Sequence, residues 1–440
     1  MRLNALVLTC LVFAASASVS ADDWPQWLGP NRDSVWREDG VVDQFPEQGL
    51  PVKWRKPVAL GYSGPAVAGG RVFVTDYVQG SGGITNIAAK RDALEGTERV
   101  LCLSADTGDT LWEHEYDRAY KISYPSGPRC TPLVDEGKVY TLGAQGDLFC
   151  FDAATGRRIW SKVLTEEYDT QAPLWGFAAH PLIDGDLLYC VVGGEGSIAV
   201  AFNKQTGTEV WRALSAKDPG YCPPTMIEHA GTKQLLIWHT ESLNSVNPAT
   251  GELYWTVPLK PAYWMSIASP RQLGSYLYAS GDGNVAALMQ LGDEKPAADI
   301  VWRGKAKNAV FCSHSTPFLE EGMIYGNDGS TGALIGVNME DAARLWQTME
   351  PTSRTKRRAK YGTAFLVKHN DRFFLFSETG DLVLANLSKD GYEEISRFHL
   401  LDPTNTAYGR DVVWTHPAFA QRCVFARNDK EIVCVSLAAP

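Results

Sequence analysis

The ten residues from Phe151 to Trp160, Phe-Asp-Ala-Ala-Thr-Gly-Arg-Arg-Ile-Trp, are one copy of a motif that recurs along the chain. In each clear copy an apolar segment leads to an Asp or Asn, then a Thr-Gly pair and a Trp. Clear copies end at Trp112, Trp160, Trp211 and Trp255, and degenerate ones at Trp302, Trp346 and Phe398. Successive copies end 44 to 52 residues apart, which is the period of a four-stranded propeller blade.

A second repeated unit lies upstream of these copies. A Pro-containing apolar segment is followed by a Gly or Asp turn and a β-rich segment, as in Thr131-Pro-Leu-Val-Asp-Glu-Gly-Lys-Val-Tyr-Thr141. Two apolar segments divided by a Gly-containing turn are typical of a β-hairpin. Such starts fall near Gly64, Thr131, His180, Pro223, Ser269, Ser315, Gly362 and His416. Eight starts predict eight blades.

The last blade lacks a closing strand of its own, because no Trp follows the apolar segment 432–437. The segment 51–54 precedes the first start and ends in the missing Trp54. We therefore predict an all-β, eight-bladed β-propeller of four-stranded antiparallel blades over residues 51–440, its last blade closed by the N-terminal strand. Closure leaves no open sheet edge at the ends of the array. Each recurring Trp is expected to lie as a wedge between neighbouring blades. If the weakly marked unit ending at Phe398 is not a blade, the count is seven.

The N-terminus predicts export. Residues 1–21 contain Arg2, an apolar stretch and the small residues Val19-Ser20-Ala21, the pattern of a cleavable signal peptide. A short membrane anchor or a buried helix is the alternative interpretation. The protein is therefore expected in the periplasm or secreted, with no transmembrane segment further along. Its net charge of −10 argues against nucleic-acid binding, which needs a basic surface.

Export permits disulfides, but the cysteine pattern favours core packing. Cys102, Cys150 and Cys434 occupy the same place in repeated strands. A repeated small apolar side chain is more often a packing residue than half of a bridge. One or two disulfides among the eight cysteines beyond the signal peptide remain open.

The repeat resembles that of the pyrrolo-quinoline-quinone (PQQ) propellers, whose motif is a strand followed by Asp-x-x-Thr-Gly-x-x-x-Trp, as from Asp152 to Trp160. The resemblance covers about residues 51–440. It implies one of two functions, because the family includes quinoprotein dehydrogenases, which carry PQQ and calcium, and BamB-like propellers, which are non-catalytic scaffolds in outer-membrane-protein assembly. The arm, residues 22–50, contains Asp23-Trp-Pro-Gln-Trp-Leu-Gly-Pro-Asn-Arg-Asp33, which resembles a leader of exported PQQ-like propellers. We expect this arm along the propeller surface.

Propellers bind ligands where their innermost strands begin, at the mouth of the central channel. Polar and aromatic residues recur at or just before those starts in this chain, and they form the predicted ligand site: Arg129, His180, His314, His416 and Tyr361, with Trp175 and Trp264 as apolar walls. The three histidines could instead hold a metal ion or simply bond to backbone and water. Because Arg129 is the one permanently charged member and no carboxylate joins it, an anionic or sugar-like ligand is favoured over a cation.

The function predicted from these patterns is a non-catalytic binding or assembly scaffold, BamB-like, with a protein partner or a small ligand at the funnel and no expected cofactor. The alternative is an oxidoreductase that binds PQQ and calcium. Against it, the chain has no adjacent cysteine pair to cover a quinone, no haem-attachment motif, and no motif that places the family's catalytic Asp or calcium ligands. No catalytic or metal-binding residue is therefore assigned. BamB-like lipoproteins carry a lipid-bearing Cys at the mature N-terminus, whereas Asp22 is expected here, which puts membrane anchoring in doubt.

Two further segments stand out. Residues 352–360 are a basic run in an acidic protein, read as a solvated loop or as a docking surface for an acidic partner. Residues 79–98 are a Gly-rich insertion in the first unit, which could act as a flap over the channel.

Overall fold

The computed structural model describes residues 22–355 and 357–440, so the predicted signal peptide lies outside the described part. Seven four-stranded antiparallel sheets and one five-stranded sheet, which is a four-stranded blade with one added strand, follow one another along the chain, and this confirms the eight-bladed β-propeller. The degenerate unit ending at Phe398 is a complete blade, because Phe398 lies in its outermost strand. A separate two-stranded ribbon lies between the last two blades.

The strands of each blade run from the channel outward in chain order. Blade 1 contains β2 (Ala66–Ala68), β3 (Arg71–Gly82), β4 (Asp92–Ser104) and β5 (Thr110–Asp117), and β6 (Tyr120–Ile122) also pairs with β4. Blade 2 contains β7 (Leu133–Asp135), β8 (Lys138–Leu142), β9 (Asp147–Asp152) and β10 (Arg158–Val163). Blade 3 contains β11 (Leu182–Asp184), β12 (Leu187–Val191), β13 (Ala199–Asn203) and β14 (Glu209–Ala213). Blade 4 contains β15 (Thr225–His229), β16 (Thr232–Trp238), β17 (Ser242–Val246) and β18 (Leu253–Pro258).

The second half repeats this arrangement. Blade 5 contains β19 (Arg271–Leu273), β20 (Tyr276–Gly281), β21 (Val285–Leu291) and β22 (Ala298–Arg303). Blade 6 contains β23 (Phe318–Glu320), β24 (Met323–Asn327), β25 (Leu334–Asn338) and β26 (Arg344–Thr348). Blade 7 contains β27 (Ala364–His369), β28 (Arg372–Ser377), β29 (Asp381–Ser388) and β30 (Gly391–His399). The ribbon is β31 (Asn405–Ala407) with β32 (Arg410–Val412), and blade 8 contains β33 (Ala418–Ala420), β34 (Cys423–Arg427), β35 (Glu431–Ser436) and β1 (Val52–Pro57). The short helices are α1 (Leu164–Glu167) and α2 (Glu350–Ser353), with a 3₁₀ turn at Ala262–Trp264.

The N-terminal strand closes the ring as predicted. Strand β1 pairs with β35 in antiparallel register, with Trp54 opposite Cys434. The Trp54 indole then donates a hydrogen bond of 2.8 Å to the carbonyl of Ala105 in blade 1. The first and last parts of the chain therefore build one blade, and its Trp joins that blade to the next.

The recurring Trp residues are wedges between blades. The Trp112 indole donates to Ala153 of blade 2 at 3.0 Å, and the Trp160 indole donates to Lys204 of blade 3 at the same distance. The Gly of the Thr-Gly turn in the next blade faces the indole of each such Trp. A Cβ added at Gly156 of blade 2, for example, would lie 2.6 Å from the Trp112 indole. Only glycine permits both this contact and the positive φ of 72° at that turn.

The core is a set of apolar layers between and within blades, with Val, Ile, Leu and Phe of the inner three strands buried. Within the described residues, all eight cysteines are free and buried. They therefore act as packing residues of the core rather than as halves of disulfides. No helix in the described part of the chain has the length and apolar character needed to cross a membrane.

The sequence predicts only that the arm lies along the propeller surface. In the structure, residues 22–37 cross the end of the central channel and residues 41–45 then follow blades 7 and 8. Trp24 exchanges two backbone hydrogen bonds with Val67 of β2, and Pro25 accepts one from Val134 of β7. On the far side of the channel, Ser34 and Trp36 bond to Lys368 of β27. The side chains of Trp24, Trp27 and Trp36 are buried at 5% exposure or less, so burial of three large apolar rings drives the crossing.

The insertion 79–98 is a hairpin extension of β3 and β4. Near its tip, Asn86 donates to the side chain of Asn405 at 2.8 Å and to the carbonyl of Thr406 at 2.9 Å. Arg91 donates to the carbonyls of Lys121 and Ala172. The hairpin therefore contacts the β31–β32 ribbon and the connection between blades 2 and 3, both at the end of the channel opposite the arm.

Candidate functional site

The candidate site is a cavity of about 180 Å³ at the end of the channel where the innermost strands begin. Its wall is mostly aromatic. The lining residues are Tyr62, Tyr124, Arg129, Trp175, Ala178, His180, Tyr221, Met265, Ile267, His314, Tyr361, Phe365, Tyr408, Trp414 and His416. Six of the seven predicted site residues are thus brought together around one cavity.

Trp264 is the exception. The 3₁₀ turn that carries it has positive φ angles at Tyr263 (54°) and Trp264 (63°). This turn leaves the Trp264 side chain 45% exposed, and the following residue, Met265, lines the cavity instead. The prediction that Trp264 is a wall of the site is therefore not supported by its position.

Arg129 contributes the positive charge of the cavity wall. Its guanidinium donates to the backbone carbonyls of Ser123, Tyr124 and Gly127, and it lies 5.2 Å from the centre of the Tyr62 ring. Burial lowers its pKa below the usual arginine value. Arg129 forms no salt bridge within the described residues, so its charge is balanced by carbonyl dipoles, an aromatic face and the more distant buried carboxylate of Glu98. The same contacts fix the loop 123–127, so Arg129 shapes the wall as well as charging it.

The floor of the cavity is formed by His180 and His416. His180 Nδ1 accepts a hydrogen bond of 2.9 Å from the Thr131 N–H, which places the proton of the neutral ring on Nε2. Trp27 of the arm stacks on His180 from below and lies edge-on to His416 at 5.6 Å. The arm thereby closes the channel under the cavity.

The three histidines of the cavity wall, His180, His314 and His416, are neutral at pH 7. Burial holds the pKa of His180 well below its ordinary value, with smaller effects from His416 and Arg32. Burial lowers the pKa of His314 to about 4, assisted by Arg410, and that of His416 to about 3, assisted by His314. These rings therefore offer hydrogen-bonding edges and apolar faces rather than positive charge.

The rim is built from stacked aromatic side chains of separate blades. Tyr361 packs against Tyr408 and His314, with ring centroids 5.1 and 5.3 Å apart. Trp414 is edge-on to His314 at 4.4 Å, and its indole donates to Glu378, which Arg410 also holds. The Glu378 carboxylate therefore accepts hydrogen bonds from the Trp414 indole and Arg410, and it is not among the residues that line the cavity.

Sequence reasoning missed several wall residues. Tyr62 and Trp414 were not missed, because they lie at or just ahead of strand starts, where the same pattern places them at the funnel, and both line the cavity. Tyr124 and Tyr408 lie in connections without the strand-start pattern, and no local signal marks them. Phe365 was hidden within an ordinary apolar strand, where alternation does not distinguish the channel from the core. The lining residues that the sequence did not indicate are Tyr124, Ala178, Tyr221, Met265, Ile267, Phe365 and Tyr408.

The two other predicted features are partly resolved. In the basic run, Arg354 pairs with the buried Asp381, so one charge is structural. Lys360 lies over the rings of Tyr361 and Tyr408 at 5.0 and 5.5 Å and brings a cation to the rim. The 79–98 hairpin contacts the β31–β32 ribbon through Asn86, and its action as a flap over the channel stays a prediction.

The residues of the cavity do not fit PQQ with calcium. Calcium requires several oxygen ligands, typically carboxylates, whereas no Asp or Glu lines the cavity. Across the described residues, no three His, Cys, Asp or Glu side chains are grouped to hold a metal ion. The volume is near that of an engineered cavity of about 150 Å³ that binds benzene, a single ring, whereas PQQ has three fused rings.

Comparison with known proteins gives two groups of relatives. A family model described as outer membrane protein assembly factor BamB matches residues 96–233 and 239–439. BamB of Yersinia pestis is 21% identical over 270 residues, which cover 58% of this chain and 65% of the relative. A quinoprotein ethanol dehydrogenase of Pseudomonas putida is 27% identical over 154 residues, covering 30% of this chain and 23% of the relative. The chain thus spans less than two thirds of the length of either relative.

Solved structures support the fold alone, because their sequence identity is low. BamB from Moraxella catarrhalis superposes with a TM-score of 0.55 at 15% identity, covering 88% of this chain and 97% of that one. A quinohemoprotein alcohol dehydrogenase from Comamonas testosteroni superposes with a TM-score of 0.56 at 13% identity, covering 95% of this chain and 81% of that one. Both the BamB structure and the alcohol dehydrogenase structure therefore share this propeller fold.

Proposed function

The chain belongs to the family of outer membrane protein assembly factor BamB, and on that premise we propose that it is an exported, non-catalytic binding propeller that acts as a scaffold. The observation that supports the proposal is the chemistry of the cavity wall. Its rings are aromatic, its histidines are neutral, and its one guanidinium is held by carbonyls. General acid–base catalysis near pH 7 needs a group whose pKa lies near the working pH, and His314 and His416, at about 4 and 3, do not provide one.

The proposed occupant is a protein partner that docks on the rim. Tyr408 is 42% exposed at the mouth, and Tyr263 and Trp264 of the 3₁₀ turn are 66% and 45% exposed. Exposed aromatic residues beside a concave apolar cavity are typical of protein-binding sites. Trp264, although outside the cavity wall, is thereby reassigned to this rim. A small anionic or sugar-like group is the alternative occupant of the cavity, favoured by the N–H groups of Arg129 and the flat rings.

Site-specific photocrosslinking in the producing cells tests the protein partner. A photoreactive phenylalanine analogue is placed at Tyr408 or Trp264, and as a control at Leu111, an exposed apolar residue of the outer strand β5. We expect one discrete crosslinked protein from the two rim positions and none from position 111. Equal crosslinking from all three positions would contradict a docking site at the mouth.

A thermal-shift panel of sugars and anionic metabolites tests the small-ligand occupant. A compound that binds in the cavity should stabilise the wild type and a Tyr263→Ala control, and lose its effect in the double variant Arg129→Ala with His314→Ala. Because Arg129 also fixes the loop 123–127, His314→Ala alone is measured in parallel. A compound that stabilises all variants equally binds outside the cavity.

The oxidoreductase alternative is tested directly. PQQ and calcium are added to the purified protein, the quinone absorbance is followed, and dye-linked alcohol oxidation is assayed. The proposed function predicts neither stoichiometric binding nor turnover. Binding of one PQQ per chain with sustained turnover would overturn it.

A further inference from the structure

A second cavity, of about 330 Å³, lies at the arm end of the channel. The arm forms one wall of this cavity through residues 26–33, and the innermost strands of blades 3, 4 and 5 form the other. Pro30 and Asn31 at its edge are exposed, so the cavity reaches solvent. Its volume is within the range of small-ligand sites, about 300–1,000 Å³.

Two arginines cross between the walls of this cavity. Arg32 of the arm donates to the carbonyls of Pro181 and His180 in blade 3, at 2.7 and 3.3 Å. Arg271 of blade 5 donates in the opposite direction, to the arm carbonyls of Arg32, at 2.8 Å, and of Asp33. Each guanidinium thus attaches the arm to the propeller from a different side.

Neither guanidinium has a carboxylate within salt-bridge distance among the described residues. Asp33, the nearest candidate, directs its carboxylate to Arg37 and to the backbone N–H of Val35. Partial burial lowers the pKa of both Arg32 and Arg271 to about 10, because it removes part of the water around each cation, and the Asp33 charge offsets only a fraction of this at Arg271. A buried charge is normally paired, and carbonyl dipoles compensate it only in part.

Both arginines also have unused hydrogen-bonding capacity. A guanidinium has five N–H donors, and each of these two gives two hydrogen bonds to carbonyls in the described part of the chain. Arg32 and Arg271 both line the cavity, together with the polar side chains of Gln26, Asn31, Thr225, Ser269 and Gln272. Asp33 also lines it, but its carboxylate is engaged by Arg37 and the Val35 N–H. The cavity therefore offers two guanidinium groups with free N–H donors and a polar wall.

We propose that this cavity binds a small oxyanion, a carboxylate or a sulfate-like group, between Arg32 and Arg271. The planar guanidinium fork matches such an anion geometrically and bonds to it with charge assistance. The bound anion would supply the missing negative charge and hold the arm against blades 3 and 5. This site is separate from the funnel cavity and does not depend on the function proposed for it.

Calorimetric titration of the full-length mature protein tests the site. Sodium sulfate and sodium malonate are titrated at constant ionic strength, with sodium chloride as the reference. We expect one saturable site per chain, and tighter binding of malonate would identify a carboxylate as the preferred group. Arg271→Gln should weaken binding about tenfold or more, because it removes hydrogen bonds from a charged donor. Arg212→Gln, which changes an exposed arginine of β14, should not.

Because Arg271→Gln also loosens the arm, hydrogen exchange of the wild type gives an independent measurement. Sulfate or malonate should slow exchange in residues 30–33 and 269–272. Exchange in the β31–β32 ribbon at the funnel rim should not change. Heats equal to those of chloride, unchanged affinity in Arg271→Gln, or exchange that does not respond at these residues would each overturn the proposal.

Discussion

The indole of Trp27 stacks on the imidazole of His180, with ring centroids 4.7 Å apart and planes 12° apart. Trp27 belongs to the arm, whereas His180 begins the innermost strand of blade 3 and forms the floor of the funnel. One contact therefore joins the segment that seals the channel to the cavity that we propose for binding. It also explains why His180 is neutral, since the indole excludes water from one face of its ring.

Trp27→Ala should destabilise the protein by about 3–5 kcal/mol, because it removes a large buried ring and leaves a cavity in the channel. The free energy of unfolding in urea measures the loss. It should also expose His180 to water and raise its pKa toward the ordinary value, which can be followed by NMR of the imidazole.

Asn31→Ala is the matched control for Trp27→Ala. Asn31 lies four residues away in the same arm and is exposed, so its removal should change stability by no more than about 0.5 kcal/mol. If both variants unfold at the same urea concentration, the arm does not close the channel in solution.

Ring closure gives a second prediction. Deletion of residues 22–56 removes β1 and Trp54, so blade 8 loses its outer strand and its hydrogen bond to Ala105. We expect the cooperative unfolding transition to be lost. Deletion of residues 22–37 alone removes the part of the arm that crosses the channel but keeps β1, and this variant should still unfold cooperatively at a lower temperature. A cooperative unfolding transition near the wild-type temperature after the longer deletion would contradict closure by the N-terminal strand.

The parts of this fold that could be predicted are those that repeat. The Trp motif marks outer strands and turns because the same contact recurs between neighbouring blades. In that contact, the Trp of one blade packs on the glycine of the Thr-Gly turn in the next blade. Even there one copy departs: the Trp255 indole donates to the side chain of Gln234 in its own blade rather than to the next blade. A motif specifies the place of a ring but not the partner of its N–H group.

The course of the arm and the tyrosines of the connections, Tyr124 and Tyr408, could not be predicted, because their positions depend on contacts between distant parts of the chain. Trp24 pairs with Val67, and the backbone around Val35 pairs with Lys368, far along the sequence. Nothing in the local pattern of residues 22–50 distinguishes a surface strap from a segment that crosses the channel. Trp264 was misplaced for a local reason, since its left-handed backbone turns the ring away from the cavity.

Glycines of the repeat give a third prediction, in matched form. Gly156→Ala forces a residue with φ of 72° to carry a Cβ that would lie 2.6 Å from the Trp112 ring. The left-handed backbone costs about 1–2 kcal/mol and the overpacking about 1–3 kcal/mol more. The control is Gly137→Ala, where φ is 74° and nothing lies within 4 Å of the added Cβ, so only the backbone cost applies. Equal losses in urea unfolding would show that Trp112 does not pack on this turn.

The histidines of the funnel give the last prediction, a loss of stability in acid. The pKa values of His314 and His416, about 4 and 3, lie below the unfolded value near 6.5. Between these limits the unfolded chain binds more protons than the native one, so stability is complete above about pH 6.5 and falls as the pH decreases. Each depressed histidine contributes up to about 1.4 kcal/mol per pH unit, and we expect a total loss of about 2–4 kcal/mol between pH 7 and 5. Urea unfolding across this range measures the loss, and His416→Gln should flatten the dependence of stability on pH.

His399 provides a control of opposite sign. Hydrogen bonds to Asp381 and Asp402 raise the pKa of His399, so its contribution to stability is present at low pH and is lost as the pH rises through that value. His399→Gln should therefore change the slope only above about pH 6.5, where the His399 contribution varies with pH. A slope between pH 7 and 5 that His416→Gln leaves unchanged would mean that the funnel imidazoles are solvated rather than buried.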